Sequence, residues 1–109
     1  MLRLRKLAAG RLDRAFDFVP AALGLFLVAG GDPRETIVGC VNFGRDCDSV
    51  ASIGGHVSGA LRGVEALPGE WRRVLTAASP FDLTDAARGV ERALRAELAR
   101  QQARLGAVG

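Results

Sequence analysis

Apolar residues recur at helical spacing along this 109-residue chain, and no segment alternates between apolar and polar residues as a half-buried strand does. Alanine, leucine and arginine dominate the composition, and this mixture favours helix over strand. We therefore predict an all-α fold, a compact array of helices. The first clear apolar stripe precedes Gly30-Gly31, which we expect to end its helix, and it consists of Val19, Ala22, Leu23, Phe26 and Leu27.

A second helix is predicted to start at Asp32-Pro33-Arg34-Glu35. The Asp32 side chain can accept a hydrogen bond from a free backbone N–H, and Pro33 stands where its missing N–H costs nothing. We expect this helix to end within residues 42–44. Its predicted buried face consists of Ile37, Val38 and Val41.

A third helix is predicted from about Ser49 to Gly63, with three glycines spaced four residues apart at Gly55, Gly59 and Gly63. A glycine inside a helix costs about 1 kcal/mol relative to alanine, so an aligned set needs a structural reason. We expect another backbone to approach this face closely. The short length of the segment and Arg62 argue against a membrane dimerisation stripe.

Two more helices complete the prediction. A short helix at residues 70–75 carries Trp71, which we interpret as a core residue rather than an adenine-stacking one. The last helix runs to about Leu105, is capped by Asp82 or Thr84, and contains the favourable pair Glu91 and Arg95. Its apolar stripe consists of Leu83, Ala87, Val90, Leu94, Leu98 and Leu105.

The net charge of +3 is concentrated at the start of the chain. Residues 1–17 carry five bases and two acids, whereas residues 18–109 carry ten of each. We expect a basic N-terminal arm or helix at 1–17 and a helical domain at 18–109, with no nucleic-acid partner. The longest uncharged run, Phe18 to Gly31, is shorter than the about 20 residues of a spanning helix, so no membrane partner is predicted.

No convincing signal peptide precedes that run, because Asp13 and Asp17 interrupt the basic region. Cys40 and Cys47 show neither metal-binding nor disulfide-framework spacing. Both observations favour a reducing compartment and a cytoplasmic location.

Asp46-Cys47-Asp48-Ser49 is the candidate site for chemistry. Two residues apart on a helix, Asp46 and Asp48 would diverge by about 200°, but in a loop that enters a helix they can converge. Two carboxylates and a hydroxyl are hard oxygen donors, suited to Mg²⁺, Mn²⁺ or Ca²⁺. The alternative is that Asp48 or Ser49 caps the helix and Asp46 is solvated. His56, the only histidine, is expected about two turns away and is interpreted as a polar surface residue.

The surrounding residues resemble the C-terminal half of the ADP-ribosylglycohydrolase family, which includes the dinitrogenase-reductase-activating glycohydrolases and the J1 crystallins. The resemblance runs from about Phe16 to Val90. Its motifs are N-F-G-R-D-C-D-S at 42–49, the glycine-rich helix that follows, and L-P-G-E-W at 67–71. It implies an all-helical fold in which two Mg²⁺ ions bind ADP-ribose in a cleft, and a substrate that is an ADP-ribosylated protein or another ADP-ribose derivative.

The resemblance implies that Asp46, Asp48 and Ser49 are metal ligands, with Ser49 in place of the usual threonine. Family members carry a further Thr-Asp-Asp type motif in their N-terminal half, which completes the dimetal site, and residues 1–45 contain no match to it. We therefore expect a partial ADP-ribosylglycohydrolase-family protein whose parent activity is Mg²⁺-dependent hydrolysis of ADP-ribose from modified side chains. No catalytic base is identified.

Two alternatives stay open: a non-catalytic helical fragment, or one half of a split enzyme whose N-terminal half is a separate chain. The sequence does not distinguish between the ADP-ribosyl linkages that a parent enzyme would cleave. It also leaves the oligomeric state open.

Overall fold

The computed structural model describes residues 15–108, whose regular structure is entirely helical. The elements are α1 (Ala15–Val28), α2 (Pro33–Phe43), α3 (Cys47–Arg62), a 3₁₀ turn (Val64–Ala66), α4 (Gly69–Ala78) and α5 (Leu83–Val108). Within these residues there is no strand, which confirms the all-α prediction. The chain divides into two compact units between Trp71 and Arg72. The predicted basic arm lies outside the described residues, apart from its last three positions.

The core of the first unit lies where α3 packs against both α1 and α2. Its buried hydrophobic residues are Ala21, Ala22, Leu25, Cys40, Phe43 and Val50. Phe18, Ala51 and Ile53 pack against this cluster and are partly buried. The core is therefore made largely of small side chains, which allow the three helices to approach closely.

The apolar stripe that predicted α1 is buried only at Ala22. Ala21, Ala22 and Leu25 are the buried residues of this helix, and Phe26 is half-buried. The other residues of the predicted stripe are exposed, at 42% for Val19, 40% for Leu23 and 74% for Leu27. The helix is apolar on more than one side, so its own periodicity does not decide which side faces α2 and α3. As predicted, α1 ends before Gly30-Gly31.

The predicted start of α2 is confirmed. Asp32 Oδ2 accepts a hydrogen bond from the backbone N–H of Glu35 at 2.8 Å, and Pro33 is the first helical residue. The helix ends at Phe43 with Gly44 as its C-cap, within the predicted range. Its predicted buried face is wrong, because Ile37 and Val38 are only half-buried and Val41 is 49% exposed. The buried residues are Pro33, Thr36, Cys40 and Phe43.

The closest approach between α2 and α3 is at Gly54. A Cβ atom at this position would lie 2.8 Å from Cys40 Sγ and 3.0 Å from Thr36 Cγ2. One turn further along α3, the buried Ser58 hydroxyl donates to the Gly54 carbonyl at 2.7 Å. The two helices therefore cross over small residues, and Gly54 leaves the space that the α2 side chains fill.

The prediction of a close backbone approach along Gly55, Gly59 and Gly63 is wrong. Near Gly59, no described residue would lie within 4 Å of an added Cβ, and Gly63 is the C-cap of α3 rather than an interior residue. Only Gly55 is in contact, at an ordinary 3.5 Å from Ile37. The close approach is made by side chains of α2 at the neighbouring Gly54.

The second unit consists mainly of α5, a 26-residue helix. Asp82 Oδ1 accepts a hydrogen bond from the backbone N–H of Asp85 at 3.0 Å, so Asp82 rather than Thr84 caps the helix. The predicted pair of Glu91 and Arg95 is present at 2.9 Å.

Trp71, which lies on α4, was predicted to be a core residue, and this prediction is only partly right. The residue is half-buried and does not belong to the hydrophobic core cluster of the described residues. That core is formed by α1, α2 and α3, so a side chain on α4 contributes little to it.

Candidate metal centre

A sharp change of direction between α2 and α3 positions the Asp46-Cys47-Asp48-Ser49 motif. Gly44 has φ +87° and ψ −170°, a region of backbone conformation that is open essentially only to glycine. Arg45 follows at φ +59°, in the left-handed region, and its carbonyl accepts the backbone N–H of Cys47 at 2.8 Å. These two consecutive positive φ values place Asp46 at the N-terminal end of α3.

The structure brings the three predicted ligand residues together. The Ser49 hydroxyl donates to Asp46 Oδ1 at 3.0 Å, and the Asp46 and Asp48 carboxyl groups are close enough to shift each other's pKa. Asp46 occupies the N-cap position, but its side chain accepts no capping hydrogen bond. Asp46 and Ser49 are therefore in contact, and Asp48 is close enough to Asp46 to shift its pKa. The predicted start of this helix at about Ser49 is two residues late, because α3 begins at Cys47 and Asp48 lies in its first turn.

The two carboxyl groups differ in their affinity for a proton. The hydrogen bond to Asp48, together with the negative charge of that residue, raises the pKa of Asp46 above its ordinary value. The same hydrogen bond lowers the pKa of Asp48, and the backbone N–H groups of Ser49 and Asp48 stabilise its ionised form further.

The donor set fits a hard divalent cation in type but not in number. Asp46 is half-buried and Asp48 is exposed, so the oxygens are accessible from solvent. Mg²⁺ requires six ligands, and the motif supplies two carboxylates and one hydroxyl. Within residues 15–108, no three His, Cys, Asp or Glu side chains are arranged to hold a metal ion. His56 is exposed, and its Nδ1 lies 2.5 Å from the carbonyl oxygen of Ser52, so it does not join the cluster.

Sequence reasoning missed the contribution of Arg45. Among the described residues, Arg45 is the one non-glycine residue with a positive φ. An arginine in the left-handed region is destabilised by roughly 1 kcal/mol relative to a glycine. The chain nevertheless has arginine at this position, directly before Asp46. The neighbouring Gly44 is the sequence signal that could have indicated a left-handed turn here.

The sequence profile of the ADP-ribosylglycohydrolase family matches residues 4–105, nearly the whole chain. The chain belongs to the ADP-ribosylglycohydrolase family. An uncharacterized Escherichia coli (strain K12) protein, YegU, is 33% identical over 66 residues, which are 61% of this chain and 20% of YegU. The chain therefore spans about one fifth of the length of that relative. No solved structure matches it.

Membership relates the chain to a hydrolase family whose members act generally on ADP-ribosylated substrates. Among the described helices, none combines the length and the apolar character needed to cross a bilayer.

Proposed function

We propose that this chain supplies the Asp46, Asp48 and Ser49 ligands of a Mg²⁺-dependent ADP-ribosylglycohydrolase site. The parent reaction would be hydrolysis of the bond between ADP-ribose and a modified side chain. The observation that carries the proposal is the contact of the Ser49 hydroxyl with the Asp46 carboxylate at the start of α3, with Asp48 in the same first turn.

Each of the three residues has a distinct part in holding the cation. Asp46 and Asp48 would neutralise its charge, and the mutual shift of their pKa values supports two carboxyl groups close to each other. The Ser49 hydroxyl, now donated to Asp46, can turn a lone pair outward because a hydroxyl both donates and accepts. When bound, Mg²⁺ would supply electrostatic stabilisation of the developing charge and orientation of a water molecule and the ribose hydroxyls.

The remaining ligands would come from outside the described residues. Two carboxylates and a hydroxyl provide about three of six Mg²⁺ ligands, so we expect weak binding by this chain alone. A further segment of the same protein, or a separate chain with the N-terminal half of the domain, would complete the shell and position the attacking water. Mn²⁺ would serve in place of Mg²⁺ because it also prefers oxygen ligands.

A non-catalytic helical module is the second candidate. The observation that favours it is that the backbone N–H groups of Ser49 and Asp48 help to lower the pKa of Asp48, so its charge is stabilised at the start of α3 without a cation. A carboxylate at this end of a helix is stabilised by the helix dipole as well. In this case the motif would only stabilise the N-terminal end of α3 and would bind no cation.

Calorimetric titration with Mg²⁺ and Mn²⁺ tests the ligand assignment. We expect a measurable binding heat for the native chain that disappears in the Asp46→Ala/Asp48→Ala variant. Asp82→Ala is the matched control, since Asp82 is also an acidic N-cap but belongs to α5, where it binds the backbone N–H of Asp85. Unchanged heats in the double variant would show that the cation binds elsewhere.

Release of ADP-ribose from an ADP-ribosylated protein tests whether this chain contains a complete active site or needs an N-terminal half. We expect no turnover by the purified chain with Mg²⁺ present, because two carboxylates and a hydroxyl leave the ligand shell incomplete. Turnover by the chain alone that is abolished in Asp48→Ala would contradict this expectation and would establish a complete enzyme. Turnover that appears only after addition of an N-terminal half would support the split form.

A further inference from the structure

We draw no further inference here: the strongest candidate, the exposed apolar face of α5 that includes Leu83, Val90, Leu94 and Leu98, lies within the region that matches the family, in a chain that spans about one fifth of the length of its relative YegU, and nothing in residues 15–108 shows what covers it.

Discussion

Replacing Gly54 by alanine measures how closely α2 and α3 pack. Alanine normally stabilises a helix interior by about 0.5–1 kcal/mol relative to glycine. Here the added Cβ would lie 2.8 Å from Cys40 Sγ and 3.0 Å from Thr36 Cγ2, distances at which the neighbours must move. Both neighbours are fully buried in the helix crossing, so they have little room to yield. Because overpacking typically costs about 1–3 kcal/mol, we expect a net destabilisation of about 1–2 kcal/mol.

Urea unfolding followed by circular dichroism measures this change in the free energy of unfolding. Gly59→Ala is the matched control, on the same helix, where no described residue lies within 4 Å of the new Cβ. We expect this control to be more stable than the native chain by about 0.5–1 kcal/mol. The two substitutions are chemically identical, so the difference between their effects on the free energy of unfolding measures the cost of the α2–α3 contact alone.

A double-mutant cycle with Cys40→Ala tests the assigned contact. Removing the Cys40 sulfur relieves the shorter of the two clashes, so Gly54→Ala should cost less in the Cys40→Ala background. A Gly54→Ala variant as stable as Gly59→Ala would refute the reasoning. Strict additivity in the cycle would refute the role of Cys40.

Three further predictions concern a helix cap, the core and the paired carboxyl groups. Asp32→Ala should lower the free energy of unfolding by about 1 kcal/mol through loss of its capping hydrogen bond, whereas Asp32→Asn should cost only a few tenths. Phe43→Ala, which empties a site only 4% exposed, should cost about 3–5 kcal/mol and unfold the first unit, while Phe81→Ala at 75% exposure should change stability by less than about 0.5 kcal/mol. Thermal melts measure the stability of both variants in each of these two comparisons. Asp48→Asn should lower the pKa of Asp46, because it removes the carboxyl group that raises it, and ¹³C NMR titration of the Asp46 carboxyl carbon would show an unchanged pKa if the assigned cause were wrong.

The sign of the pH dependence follows from these directions. A raised pKa means that folded Asp46 holds its proton more tightly than the unfolded chain does, so its stabilising effect is present at low pH and is lost as the pH rises through the raised pKa. Asp48 acts in the opposite sense, and its stabilising effect is lost as the pH falls through its lowered pKa. Cation binding should weaken as the pH falls through the raised pKa of Asp46, because protons compete for the same oxygens.

Local signals in the sequence predicted the helix boundaries well. The start of α2 depends on Asp32 and Pro33, whose effects act within one turn and need no knowledge of the rest of the chain. The convergence of Asp46 with Ser49 was also predictable, because it depends on a loop joining a helix within the motif itself. The metal-ligand roles themselves stay predictions.

The buried faces could not be predicted because they depend on distant partners. Large aliphatic residues such as Leu23 and Leu27 recur at helical spacing, but α1 packs through Ala21 and Ala22, where smaller side chains allow closer approach. For the same reason the sequence did not indicate the close contact at Gly54, because the neighbours of Gly54 come from another helix. Glycine spacing alone favoured positions such as the exposed end of α3, where an added Cβ meets open space.

Val50 follows Ser49 directly in α3, and its side chain is completely buried. Rotating α3 by one residue about its own axis would carry Val50 out of the core and swing the Asp48 and Ser49 oxygens away by about 100°. The hydrophobic core one position away therefore fixes the orientation of the Asp48 and Ser49 oxygens, which we propose as cation ligands. If these residues bind a cation as proposed, any change that loosens the core around Val50 should weaken that binding although the proposed ligands themselves are unchanged.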